Sequence, residues 1–310
     1  MIGAMPPAAL PERPAGWRRL GCGLPGAIAS ALLMACATPT PLIDPRHRAT
    51  GQDSRVQFVV LHYTSERLPD SLRILTTQQV SAHYLVGDQP LPIIYQLVPE
   101  DRRAWHAGES AWQGQSALNA SSIGIEIVNP GRQLRADGSS TFAPFSPAQI
   151  DALIALLQGI VARHGVRPER IVGHSDIAPQ RKDDPGPAFP WRRLADAGLI
   201  AWPDAADVAT WQARHQASPP DAAWVQATLA RIGHAVPTTG QLDAATRRVV
   251  TAFQMKYRPG LHDGTPDAQT TALMQAVADL GPAPPLRHSG PVRAETRPQP
   301  AAPDNARCPP

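Results

Sequence analysis

Ser122-Ile123-Gly124-Ile125-Glu126-Ile127-Val128 alternates without a break, and the reading of this stretch decides the fold. A period of two puts Ile123, Ile125 and Ile127 on one face of a strand, and Gly124, Glu126 and Val128 on the other. The isoleucine face needs a cover. The opposite face is interrupted by a carboxylate, which either meets water or lies in a lined site. Upstream, Val56-Gln57-Phe58-Val59-Val60-Leu61 is a compact apolar run that reads as a buried strand ending at His62-Tyr63-Thr64. Residues 71–86 carry a helix leading into Tyr84-Leu85-Val86, and another strand is expected around Ile93–Val98. Downstream, Ser146-Pro147-Ala148-Gln149 opens a helix with a capping box and proline at its first position. Ile150, Leu153, Ile154, Leu157 and Val161 then recur at helical spacing until Gly165 stops the helix. Arg170-Ile171-Val172-Gly173-His174 is a short strand entering a loop. Strands and helices in this order predict an α/β domain over about 55–205, with a mixed central sheet flanked by helices.

A composition break follows. Residues 206–220 are rich in Ala, Pro and Asp and read as a linker. Residues 221–280 hold three helical patterns: Asp221 to Ile232, stopped by Gly233; a second from Asp243 carrying Val249, Val250 and Phe253; a third after Asp267 with Leu273, Met274 and Val277. They predict a second, small three-helix domain. Residues 281–310 contain nine prolines without periodicity and read as a disordered tail. At the other end, Arg18-Arg19 precedes the apolar stretch Leu20–Met34, which is too short for a permanent membrane span and is interrupted by Pro25. Residues 1–36 therefore read as a signal peptide. Its end, Leu33-Met34-Ala35-Cys36, resembles a bacterial lipobox, which makes Cys36 the expected lipidation site, and Ala37 after it suits sorting to the outer membrane. Residues 37–54 read as a tether.

Charge narrows the function. The 29 basic and 26 acidic side chains give a net charge of +3 with no basic run, a poor basis for nucleic-acid binding. Three cysteines (Cys22, Cys36 and Cys308) make no disulfide framework. Of ten histidines, His62 and His174 stand at strand ends, where a rigid scaffold presents side chains to a cleft. A carboxylate from Arg181-Lys182-Asp183-Asp184-Pro185 could complete two-histidine, one-carboxylate coordination with a fourth position open for water. Spacing alone leaves two satisfied loop histidines equally possible. Glu126, if it lies near such a centre, can serve as a general base.

Five motifs occur in a telling order: Leu61-His62-Tyr63-Thr64, Ser81-Ala82-His83-Tyr84, Ala104-Trp105-His106-Ala107-Gly108, Ser122–Asn129 and Gly173–Pro187. Together they resemble the zinc-dependent N-acetylmuramoyl-L-alanine amidases of the T7-lysozyme and peptidoglycan-recognition-protein fold, closest to a lipoprotein subgroup with a C-terminal helical domain. The resemblance covers about residues 55–280. It implies that His62, His174 and Asp184 bind Zn2+, with Asp183 the neighbour easily mistaken for the third ligand. It implies Glu126 as the catalytic base and Lys182 as the cation that stabilises the oxyanion. His83 and His106 match positions lining the substrate groove, and Arg181 either meets a substrate carboxylate or is a solvated charge. The implied reaction is hydrolysis of the amide between N-acetylmuramic acid, or its anhydro form, and L-alanine of the stem peptide, by a lipid-anchored periplasmic monomer. Gly240–Thr246, Phe253-Gln254 and Asp267–Thr270 resemble a peptidoglycan-binding three-helix module. The competing reading is a non-catalytic peptidoglycan-recognition lipoprotein. Such proteins typically lack a ligand that is present here as Asp184.

Overall fold

The computed structural model describes residues 42–281. The expected signal peptide, Cys36 and nearly all of the proline-rich tail lie outside the described residues. Contacts divide the chain after Gly51. Residues 42–51 are exposed, form one turn and no helix or strand, and hold an Asp44–Arg46 ion pair.

From Gln52 onward the elements run β1 (Phe58–Tyr63), α1 (Leu68–Thr77), β2 (Tyr84–Val86), β3 (Ile94–Gln96), then the short β4 (Ala111–Trp112) and β5 (Gln115–Ser116). They continue with β6 (Ser122–Ile127), the hairpin β7 (Arg132–Leu134) and β8 (Ser140–Phe142), α2 (Pro147–His164), β9 (Ile171–Gly173), α3 (His174–Ile177) and α4 (Trp191–Asp196). The main sheet has the order β3-β2-β6-β1-β9. β2, β6, β1 and β9 are parallel and β3 is antiparallel to β2.

The alternation of β6 sets the layers. Ile123, Ile125 and Ile127 pack with Val59 and Leu61 of β1 against Ile150, Leu153, Leu157 and Ile160 of α2. The Ser146 hydroxyl accepts from Gln149 N and Gly165 closes the helix at φ 67°. The other face of the sheet carries Phe58, Val60 and Val172 in a separate apolar cluster, and it is here that His62 and Glu126 emerge. Helix α1 begins earlier and ends sooner than expected. Pro69 sits in its first turn, and residues 78–83 run as coil into β2, where Ser81 N donates to Trp105 O and His83 N donates to Gly124 O instead of continuing the helix.

The C-terminal helical part of the same unit contains α5 (Ala205–Ala217), α6 (Ala222–Ile232), α7 (Ala244–Tyr257) and α8 (Ala268–Asp279). The last three start where the sequence places them. Asp221, Asp243 and Asp267 each accept from the backbone N–H three residues on. Helix α5 corrects the expected linker over 206–220. Asp204 caps it, its alanines favour helix, and Val208 and His215 anchor it to the bundle, where His215 Nδ1 meets Thr271 Oγ1 at 3.0 Å. Its apolar stripe is too thin to register as a periodic pattern.

Candidate active site

Strand order builds the site. β6, β1 and β9 lie side by side and parallel, so their C-terminal ends open on one edge of the sheet. His62 sits next to Glu126 in the β1–β6 register. His174 follows β9 as the first residue of α3. Asp184 returns on the next loop, pinned where Ser175 N donates to its carbonyl at 2.8 Å. Residues 112 and 122 positions away from His62 thus reach its ring.

The three donors converge. His62 Nδ1 and His174 Nδ1 are 2.9 Å apart, and Asp184 Oδ2 lies 3.0 and 3.1 Å from them. All three side chains are buried. A tetrahedral ion with bonds of about 2.0–2.1 Å has ligand-to-ligand edges of about 3.3 Å, so this triangle fits one after a few tenths of an ångström of expansion. The protonation states suit it as well. Burial, the largest cause, lowers His62 to about 4 and keeps its imidazole neutral. Burial opposes ionisation of Asp184, but His174 and His62 overcome it and hold the carboxyl well below the usual range. Asp183 faces away. It accepts from Tyr63 Oη at 2.5 Å and pairs with Arg132 at 3.8 Å.

The rings of the two candidate ligands are themselves oriented. With Nδ1 free for a cation, His62 carries its proton on Nε2 and donates to His106 Nδ1 at 3.1 Å. His106 then donates from Nε2 to Ser122 Oγ at 3.1 Å, and that hydroxyl donates to Leu118 O at 2.7 Å. His174 Nε2 donates to Ala107 O at 3.2 Å. Gly124 makes this possible: a Cβ there would sit 2.3 Å from His106 Cγ. The glycine that breaks the apolar pattern of β6 is the floor beneath a histidine ring.

Glu126 borders the same cleft, whose volume is about 360 Å3. Its Oε2 is buried without a hydrogen-bond partner among the described residues. Burial first, then Asp184, pushes its pKa well above the ordinary value, while Lys182 pulls the other way. Lys182 also lines the cleft. The remaining expectations divide. His106 lines the cleft while serving His62. His83, expected to line the groove, is fully buried and is not among the residues of the cleft wall. Its Nδ1 accepts from Gly124 N, and its Nε2 meets Arg102 O at 3.0 Å and Arg55 Nη2 at 3.2 Å. Arg181 lines the cleft but spends its guanidinium on the carbonyls of Ala107 and Glu109. Trp105, to which the sequence reading gave no role, stands 55% exposed on the cleft wall with the Arg103 guanidinium 4.5 Å from its ring centre. An exposed aromatic inside a histidine-bearing motif was the available signal.

Two imidazoles and a carboxylate facing an open cleft, with an unpaired glutamate alongside, define the class of metal-dependent hydrolases. Comparison with known proteins narrows the class. Residues 52–187 match the family model described as N-acetylmuramoyl-L-alanine amidase, and residues 218–274 match a model for a peptidoglycan binding domain. The chain is 47% identical to the N-acetylmuramoyl-L-alanine amidase AmiD of Escherichia coli K12 over 266 residues, 81% of this chain and 96% of the relative. It is 42% identical to the 1,6-anhydro-N-acetylmuramyl-L-alanine amidase AmpD of the same organism over 116 residues, 37% of this chain and 57% of that one. Among solved structures, AmiD from E. coli in complex with the substrate anhydro-N-acetylmuramic acid-L-Ala-D-γ-Glu-L-Lys superposes with a TM-score of 0.70 at 46% identity, covering 77% of this chain and 94% of that one. AmpDH3 from Pseudomonas aeruginosa with anhydromuramic pentapeptide gives 0.73 at 38%, covering 79% and 100%. The chain belongs to the N-acetylmuramoyl-L-alanine amidase family.

Proposed function

We propose that the protein hydrolyses the amide between the lactyl group of N-acetylmuramic acid, or its 1,6-anhydro form, and L-alanine of peptidoglycan stem peptides. The convergence of His62, His174 and Asp184 beside the unpaired Glu126 carries this reading. The AmiD complex supports the anhydro substrate, since the substrate bound to that relative is an anhydro-muramyl tripeptide. His62, His174 and Asp184 would hold Zn2+, which when bound would acidify water and polarise a carbonyl. Glu126, with its raised proton affinity, accepts the proton of the attacking water and passes it to the departing alanine nitrogen. Lys182 supplies positive charge where the carbonyl oxygen becomes anionic. His106 and the carbonyl of Ala107 hold the two imidazoles in the required tautomers.

The remaining assignments belong to the same proposal. Residues 1–36 export the chain, Cys36 is lipidated and anchors it in the periplasm at the outer membrane, and the protein acts as a monomer. The domain over 221–280 binds peptidoglycan and raises the local concentration of enzyme on the polymer.

The test uses protein lacking residues 1–36 and a defined anhydro-muramyl peptide, with products followed by mass spectrometry. A free peptide beginning with L-alanine, lost with chelator and restored by Zn2+, is the expected result. Stoichiometric metal and peptide binding without cleavage would replace the enzyme with a recognition protein.

A further inference from the structure

Helix α3 has four residues and starts with His174. So short a helix has no stability of its own, because the cost of nucleation is not recovered. Part of its support is local: Asp176 Oδ2 folds back to accept from Gly173 N at 2.8 Å. The rest comes from the helical domain. Lys256 of α7 reaches the same Asp176 Oδ2 at 3.1 Å, with side-chain exposures of only 8% and 2%. Its ammonium also lies 3.5 Å from Ile171 O of β9 and 4.2 Å from the centre of the Trp191 ring. His234, just beyond α6, donates from Nδ1 to the Asp176 carbonyl at 3.2 Å. It is held there by its backbone bridge to Trp112, by Gln113 N donating to Gly233 O at 2.8 Å, and by the Trp112 ring at 4.8 Å. Both the carboxylate and the carbonyl of one α3 residue are therefore bonded from the other domain. A buried ion pair contributes little net stability against an apolar substitute. It does fix geometry, and this one lies two residues from a donor of the site.

We propose that the helical domain is a brace for the metal centre, and that Lys256 is a positioning residue which acts on His174 through Asp176. The proposal rests on the reading of His174 as a zinc ligand. It gives the second domain a role within the reaction centre, separate from any affinity for the polymer.

The test measures Zn2+ affinity by competition with a chromophoric chelator, together with thermal stability and the separate kcat and KM, on protein lacking only residues 1–36. Stoichiometric Zn2+ binding by the unsubstituted protein is established first. Its failure would remove the ligand reading itself rather than the brace. Lys256→Met strands a buried carboxylate. It should melt earlier and bind Zn2+ about 10–100-fold more weakly, and kcat should fall while KM stays within about twofold. Lys256→Met combined with Asp176→Asn removes both charges yet keeps an acceptor for Gly173 N. It should recover thermal stability but not metal affinity, which should remain at least about fivefold weaker. This double variant also decides the matter if the single one fails to fold. Arg258→Met is the control. It breaks the Arg258–Asp267 pair inside the helical domain, so it should lower stability and leave metal affinity unchanged. Wild-type metal affinity in the double variant would overturn the proposal and leave the pair as compensated burial only.

Discussion

Gly124→Ala tests the link between the sequence pattern of β6 and the chemistry of the site. The new Cβ would lie 2.3, 2.5 and 2.6 Å from His106 Cγ, Cδ2 and Nδ1, where ordinary contact begins at 3.4 Å. The imidazole must therefore retreat by about 1 Å. It has little room. His106 N and Ala107 N are both fixed to Asn119 Oδ1, at 3.0 and 2.8 Å, and the ring lies between His62 and His83 with centroids 5.2 and 5.9 Å away. A shift of that size stretches the 3.1 Å contacts to His62 Nε2 and Ser122 Oγ beyond hydrogen-bond range. Two costs follow. Overpacking should lower stability by about 1–3 kcal/mol. Loss of the group that orients a ligand ring should weaken metal affinity about 10–100-fold. Urea unfolding reads the first and chelator competition the second. Gly159→Ala on α2 is the matched control. Its new Cβ meets only the tip of the Arg163 side chain, so helix propensity should raise stability by about 0.5–1 kcal/mol with no effect on metal. Wild-type stability and metal affinity in Gly124→Ala would refute the account of why glycine stands there.

Other outcomes are expected. Glu126→Gln should keep a full equivalent of metal and lower kcat by about 10²–10⁴-fold, checked by metal analysis and steady-state rates on one sample. Trp105→Ala should raise KM for a soluble muropeptide by about 2–10-fold with kcat nearly constant, the range that loss of one aromatic contact predicts; an unchanged KM would remove Trp105 from the substrate contact. Glu100 gives a pH dependence. Burial alone would raise its pKa, but bonds from Arg163, His164 and Tyr84 win and bring it from 4.5 down to about 2. A depressed carboxyl contributes stability that is complete above the unfolded value and is lost as pH falls toward the folded one. The difference in unfolding free energy between wild type and Glu100→Gln should therefore shrink between about pH 5 and about pH 2.5, and a constant difference across that range would refute the assignment.

The sequence by itself determined the elements whose signal is local. The alternation of Ser122–Val128, the capped helix after Ser146 and the three aspartate-capped helices after Asp221, Asp243 and Asp267 each rest on neighbours within a few positions, where side-chain period and capping chemistry act. Helix α5 escaped because alanines that favour helix also resemble a linker when only Val208, Trp211 and His215 mark the buried side. The tertiary structure decided whatever depends on strand order and on which face a side chain meets. Asp183 and Asp184 are neighbours in sequence, yet the loop turns one to Tyr63 and Arg132 and the other to the two histidines. His83 and His106 stand in similar motifs, yet one is sealed behind Gly124 and the other reaches the cleft. Lys256 carries no motif at all, and its place beside α3 exists only because α7 packs against the end of the sheet that carries α3. Local chemistry names the side chains capable of a reaction; packing over more than a hundred residues selects which of them meet.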